Sequence, residues 1–346
     1  MIRLNASLAV AAAALLAVTP ALAADYPPMT SDANFFGNTD DMRSGFSPDF
    51  DNSDAYDPLS FELGLRYWYS MGSQSFGVGS NTLSESDKTQ SVEAHFRVDD
   101  HSTNFYAKGL AGTAFNIDGS GSNTATGDTP SVTDGKVAYA GGDIGYSWIN
   151  GPKNGPTFGP FAGYMYWNDS PDVGRANFTT GTSTGDFTFN GATVVGPGNS
   201  VENDLNISAL RLGFSGKAQL STYFDISGEV AAVPYAKIGG VLGAFGVPTT
   251  PSGGDVIIQS SAATVDGWGY GAMAEVMAGF HPTNNLTFRL GGRAWYLQGR
   301  EDTNFNTITV TNDASHTVVG SQYYISTSNP WSLFRYGALA EMTYNF

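Results

Sequence analysis

From Leu59 onward the chain repeats one motif: stretches of about a dozen residues with apolar side chains at every second position, separated by intervals rich in Gly, Ser, Thr and Asn. The last stretch, Leu333 to Phe346, shows it most plainly. Phe346, Tyr344, Met342, Ala340, Ala338, Tyr336 and Phe334 share one phase, while Asn345, Thr343, Glu341 and Arg335 fall between them. A period of two places these sets on opposite faces of a strand. The same reading predicts strands over Leu59 to Ser70, Gln90 to Asp99, Asn104 to Asn116, Val137 to Ile149 and Phe158 to Asn168. Further strands are predicted over Asp204 to Lys217, Thr222 to Tyr235, Asp266 to Phe280 and Leu286 to Gln298.

The intervals between these segments alternate in length. Residues 71–89, 117–133, 169–203, 236–265 and 299–332 are long; 100–103, 150–157, 218–221 and 281–285 are short. A soluble β-sandwich also alternates along its strands, but nothing in it makes loop length alternate. A transmembrane barrel does so, with tight turns on one side of the bilayer and long loops on the other. The expectation is therefore an all-β fold: a transmembrane antiparallel up-and-down β-barrel of about ten strands, over residues 58–346, with both termini on the turn side.

Charge sharpens the phase. With the apolar face toward lipid, the other face carries Glu62, Arg66, Glu93, His95, Arg97, Lys108, Asp143, Arg211, Asp225, Glu229, Glu275, Arg289, Arg293, Arg335 and Glu341, seven acids, seven bases and one histidine. A lipid-facing charge at mid-depth costs roughly 2–4 kcal/mol, so these side chains are expected in the lumen. About ten strands enclose little space, and charges there should pair between neighbouring strands, Arg335 and Glu341 beside Glu62 and Arg66, and Asp225 and Glu229 beside Arg211 on one side and Glu275 on the other. A plugged barrel is the first reading; a narrow pore lined by Arg66, Arg97, Arg289, Arg293 and Arg335 is the second. Outward aromatics gather near strand ends, with Tyr67, Tyr69, Tyr166, Trp268, Tyr270, Tyr296 and Tyr336 toward the loops. Trp148, Phe224, Phe280, Phe288 and Phe346 lie toward the turns, as in interfacial girdles. One segment departs from the pattern: Asn206 and Ser208 share a phase with Leu210, Leu212 and Phe214. Either that strand rises above the bilayer or a bulge resets it near Ser208.

Ahead of the first strand, Arg3 precedes an apolar run ending in Thr19-Pro20-Ala21-Leu22-Ala23. This has the form of a secretory signal peptide, residues 1–23, cleaved after Ala23. Residues 24–57 hold eight acids against Arg43, with no period, and are expected to form an acidic periplasmic extension. Asp49, Asp51, Ser53 and Asp57 faintly resemble a calcium loop, but the turn glycine and closing glutamate are absent. With no Cys and four His, no thiolate site and no clustered metal site is expected, and no cofactor. A formal net charge of -16 argues against nucleic acid as a partner. Gly141-Gly142 and Gly239-Gly240 open no helix and read as room for barrel curvature rather than phosphate loops.

The closing strand, with Tyr344 two residues before Phe346, resembles the C-terminal signal by which outer-membrane β-barrels engage the barrel assembly machinery. The strand number and length resemble the omptins, ten-stranded outer-membrane proteases that activate a water between an Asp-Asp and an Asp-His pair at the outer rim. That motif is not found here. Asp99, Asp100 and His101 fall in a short turn; the outer rim offers Asp118, Asp128 and Asp134, then Asp255 and Asp266, with no histidine near the last two; His316 lies in a different loop with no acid at the needed spacing. GGDIGYSWINGPKNGPTFGPFAGYMYWND (141–169), ISALRLGFSGKAQLSTYFDISGEVAAVPYAKIGG (207–240) and DGWGYGAMAEVMAGFHPTNNLTFRLGGRAWYLQG (266–299) resemble alphaproteobacterial, rhizobial-type outer-membrane barrels. These resemblances imply an integral, bacterial outer-membrane location in contact with lipid and lipopolysaccharide; the excess of acids in the loops, turns and strand ends, 17 against seven bases, would need divalent cations to meet that anionic leaflet. They imply no reaction and name no extracellular ligand; the role expected is non-enzymatic, structural or surface-binding through the long loops, with a narrow porin-like channel and an omptin-like protease as the alternatives.

Overall fold

The computed structural model describes residues 59–346 apart from 80, 125–128, 130, 133, 151–155, 173–186, 190–191, 195–202, 243–254, 260 and 312–316. The expected signal peptide, the acidic segment with Asp49, Asp51, Ser53 and Asp57, and the residues Asp128 and His316 lie outside the described residues. Ten long strands form the wall: β1 (Leu59–Val78), β2 (Asn81–Asp100), β3 (Phe105–Asn123), β4 (Asp134–Tyr146) and β5 (Thr157–Asp172). They continue as β6 (Asp204–Gln219), β7 (Phe224–Val241), β8 (Thr264–Phe280), β9 (Leu286–Val310) and β10 (Val318–Asn345). Each pairs antiparallel with its neighbours in sequence, and β10 pairs back onto β1 with Glu341 opposite Arg66, so the sheet closes in a ring. Closure leaves no strand edge within the wall. Short strands lie against it at Ser131–Val132, Ile149–Asn150 and Val256–Gln259, and Phe187–Phe189 pairs with Ala192–Val194 in a separate hairpin. No helix occurs among the described residues.

Every predicted segment falls on one wall strand. The largest overrun is at the turn end of β4, which stops at Tyr146 although the alternation carries on to Ile149. At the loop end the difference is larger and systematic. Residues 71–78 and 81–89, read as loop, are strand up to a tight turn with Gly79 at φ 61°, and β9 and β10 reach far past Gln298 and Leu333. The reason is a swap of faces. In the turn half, apolar side chains point outward: Leu63, Leu65, Leu290 and Met342 are all exposed. In the loop half apolar side chains turn inward, among them Phe76, Val78, Leu83, Leu205, Ile207, Ile238, Phe305 and Leu333, beside buried polar ones such as Asp87 and Asp169. The turn half has the outside of a membrane barrel, and the loop half has the oil-inside order of a water-soluble one. A search for one apolar phase ends where the phase changes sides.

That swap also accounts for β6. Its buried positions Leu205, Ile207, Ala209 and Arg211 keep one phase throughout, so no bulge resets it. Asn206 and Ser208 point outward, where Tyr166 donates to Asn206 and the Tyr164 hydroxyl donates to Ser208 Oγ at 2.8 Å. The bulge lies in the neighbouring strand. Pro234 and Tyr235 of β7 are both exposed, and the pairing with β6 jumps from Leu210–Tyr235 to Leu212–Ala232. Proline has no N–H to offer the ladder, and a bulge is where that absence is tolerated. Gly240, in one of the glycine pairs, has φ 143°, and a Cβ there would stand 1.8 Å from Asp204 O.

Candidate functional site

The inward phase of the turn half builds a charged lumen. Glu62 and Arg66 come from β1, Glu93 and His95 from β2, Glu275 from β8, Arg289 and Arg293 from β9, and Glu341 from β10. They form one cluster. Arg293 donates to Glu93 Oε2 at 2.7 Å and stands 2.6 Å from Glu275 Oε2. Arg66 pairs with Glu341 and donates to Glu93 Oε1 at 3.1 Å. Arg289 donates to Glu341 Oε1 at 2.7 Å and grips both oxygens of Glu62 at 3.0 and 3.1 Å. On the facing wall, Arg211 of β6 donates to Glu229 of β7 at 2.6 Å and to Asp143 of β4 at 3.2 Å, and Lys108 of β3 pairs with Glu229. Phe161 packs its ring beneath both cations.

Two expected members stand apart from these clusters. Arg97 turns back on its own strand to hold Asp99 with two donors at 2.7 Å. Arg335, expected beside Glu62 and Arg66, sits opposite Gly72 and points across the lumen at a higher level. There it donates to Asp87 of β2 at 2.9 Å and to Asp169 of β5 at 2.7 Å, fully buried. Sequence reasoning missed both acids because they lie in intervals read as loop. Asp225 does not meet Arg211 either. It holds His281, at 2.6 Å, whose other ring nitrogen is 2.9 Å from Thr287 Oγ1, and Lys217 lies 3.4 Å away. His281 lies in a turn interval, where no strand phase marks it as inward.

Above the first cluster the lumen is closed by aromatic side chains. Trp68 and Trp295 pack edge-on at 4.7 Å, Trp167 and Trp295 at 4.9 Å, and Tyr139 and Trp295 at 5.2 Å, all four buried. Arg293 lies over Trp68 at 5.1 Å and Trp295 at 5.2 Å, tying the aromatic layer to the charged one. Their signal was present: Trp68 shares the phase of Arg66, and Trp295 that of Arg293. Below this layer a cavity of about 170 Å³ opens toward the turn end, reaching Glu62, His95, Lys108 and Arg211.

Outside the lumen, Asp100 caps the first turn. Its carboxylate accepts from the Ser102 and Thr103 hydroxyls at 2.6 Å, and those bonds hold its pKa down to about 2. His101 lies between Ser60 and Asn150, 3.2 Å from each, so Asp99, Asp100 and His101 do not converge. At the loop end Asp266 faces Lys237 at 3.7 Å. Beyond the girdle residues Trp268 and Tyr296, Glu301 is buried in the apolar half with its Oε2 accepting from Thr303 at 2.6 Å. Burial pushes its pKa up to about 7 against the opposing hydrogen bonds.

No protein-family model and no curated protein sequence matches the chain. Among solved structures, the outer-membrane protease OmpT from Escherichia coli aligns at 12% identity over 84% of this chain and 97% of its own, with a TM-score of 0.52. The translocator domain of the autotransporter NalP from Neisseria meningitidis aligns at 10% identity over 86% and 92%, with a TM-score of 0.36. The toluene transporter TodX from P. putida aligns at 10% identity over 84% and 91%, with a TM-score of 0.29. All three are outer-membrane β-barrels. At 12% identity the alignment with OmpT supports a likeness of fold alone.

Proposed function

We propose that this chain is an integral outer-membrane barrel that does not conduct and does not catalyse, and that it presents its loop half as a structural or surface-binding platform. The observation that carries the reading is the aromatic layer of Trp68, Tyr139, Trp167 and Trp295 across the lumen, backed on one side by the ion-pair clusters and on the other by Arg335 with Asp87 and Asp169. Opening a path for ions would require unpacking buried indoles and breaking buried ion pairs together. The apolar outer face of the turn half supports insertion in a bilayer, and the acidic loop half would meet lipopolysaccharide through divalent cations.

Planar-bilayer recording tests it. The refolded full chain is expected to give no stable unitary conductance, whereas Trp295→Ala, which removes the ring that the other three contact, should leak. Steady channels in the unaltered protein would replace this reading with a narrow pore. The likeness to OmpT favours a protease as the second reading. Among the described residues, however, His95, His101 and His281 all lie below the aromatic layer, away from the loop rim. Dibasic peptides are expected to survive incubation with the refolded protein; cleavage abolished by changing a loop-end aspartate would establish the protease instead.

A further inference from the structure

The ion-pair cluster of the lower lumen does not close on itself. Five carboxylates, those of Glu62, Glu93, Asp225, Glu275 and Glu341, face four cations, those of Arg66, Lys217, Arg289 and Arg293. One negative charge is left over in a buried site, where an uncompensated charge is strongly unfavourable. It falls where His95 enters. The imidazole is 8% exposed, and neither ring nitrogen has a hydrogen-bond partner. It is held there by fit: a Cβ on Gly64, directly opposite on β1, would stand 2.5 Å from His95 Cε1.

His95 Nε2 lies 3.6 Å from Glu62 Oε1 and 3.5 Å from Glu341 Oε2. Those separations are too long for an N–H···O bond. They match another geometry: two ligands each about 2.0–2.2 Å from one ion stand roughly 3.3–3.6 Å apart at a tetrahedral angle. Ligand atoms of all three residues lie within 4.8 Å of one another, which a small carboxylate rotation closes.

We propose that Glu62, His95 and Glu341 form a site for one divalent transition-metal ion of the zinc type, with a water from the adjoining cavity as the fourth ligand. Neutral imidazole and two carboxylates suit zinc or cobalt, and no thiolate is available for softer ions. Arg66 and Arg289 do not block the site. A carboxylate offers about four lone-pair directions, so each oxygen can accept from a guanidinium and still ligate. In that arrangement the two arginines orient the ligating carboxylates, as outer-shell partners do in metal sites generally. The 170 Å³ cavity, which reaches Glu62 and His95, gives the ion a route from the turn end.

The test uses the full chain, refolded in detergent, shown to be folded by heat-modifiable migration, and stripped with a chelator. Zinc titrated by calorimetry should bind one ion per chain, and cobalt should give the intense visible bands of a four-coordinate site. His95→Gln should weaken binding at least about tenfold, while His101→Gln, at the turn, should leave it unchanged. Where His95→Gln does not fold, Glu62→Gln takes its place in the same comparison. Absence of saturable one-to-one binding by the folded chain, or undiminished binding by the folded variant, would overturn the proposal.

Discussion

Arg293 shows what a single side chain does in this lumen. It satisfies Glu93 and Glu275 together while its guanidinium covers two indoles. Arg293→Ala should therefore cost about 3–5 kcal/mol in urea unfolding, since it strands buried carboxylates. Removing Glu93 as well should cost clearly less than the sum of the single changes, because the two act as a pair. Glu301 gives the opposite case, a carboxyl whose ionisation burial delays toward neutral pH. Its folded pKa, about 7, lies above that of the unfolded chain, so the native state binds more protons between them. Stability from this group is present in full below roughly pH 4 and is lost as pH rises toward 7. Unfolding midpoints should fall across that window, and Glu301→Gln should flatten the profile. Equal slopes in both proteins would assign the pH dependence elsewhere.

At the scale of a strand, the informative feature is the level at which the apolar phase changes sides. On β1 the change falls between Tyr69, exposed outward, and Phe76, buried inward; on β6 it falls between Leu210 and Ile207. Below that level an outward charge meets lipid. Leu290→Arg is expected to cost roughly 2–4 kcal/mol, whereas Asn306→Arg, outward on the same β9 beyond the change, should cost little. Folding yields in lipid vesicles would compare the two; an equal loss would mean that the belt continues to Asn306. The same logic separates the two final residues. Phe346 is 57% exposed on the apolar face and its N–H bonds Phe61 O at 2.9 Å, while Asn345 points inward. Phe346→Asp should impair insertion more than Asn345→Asp does.

For the whole molecule, ring closure brings together residues far apart in the chain. Arg66 and Glu341 are Cα partners only because β10 returns to β1, and Arg335 reaches Asp169 only because the lumen is narrow enough for one side chain to cross it. A narrow, paired, aromatic-filled interior should also resist unfolding as a unit. Detergent-solubilised protein is expected to run as a compact species until boiled, and mass analysis of native material should show a chain beginning at Ala24. Recovery of the folded chain from a soluble periplasmic fraction would contradict the membrane reading altogether.

Period-two patterning was legible without coordinates, because a lipid-facing wall and a charged lumen impose opposite demands on successive residues. It yielded the strand identities, most of their turn-side ends to within a residue, and the inward phase that holds Glu62, Arg66, Glu93, Arg289, Arg293 and Glu341. It did not yield the loop-side ends. There the apolar side chains move to the interior, and a pattern sought on one face disappears although the strand continues. Nor could it say which charge meets which. Register between neighbouring strands, and contacts across the lumen such as Arg335 with Asp87 and Asp169, depend on closure and on the width of the ring. Trp68 and Trp295 lay in plain view on the charged phase. That they meet Trp167 and Tyr139 in one layer, and close the barrel, is decided only when four separate strands are brought to the same height.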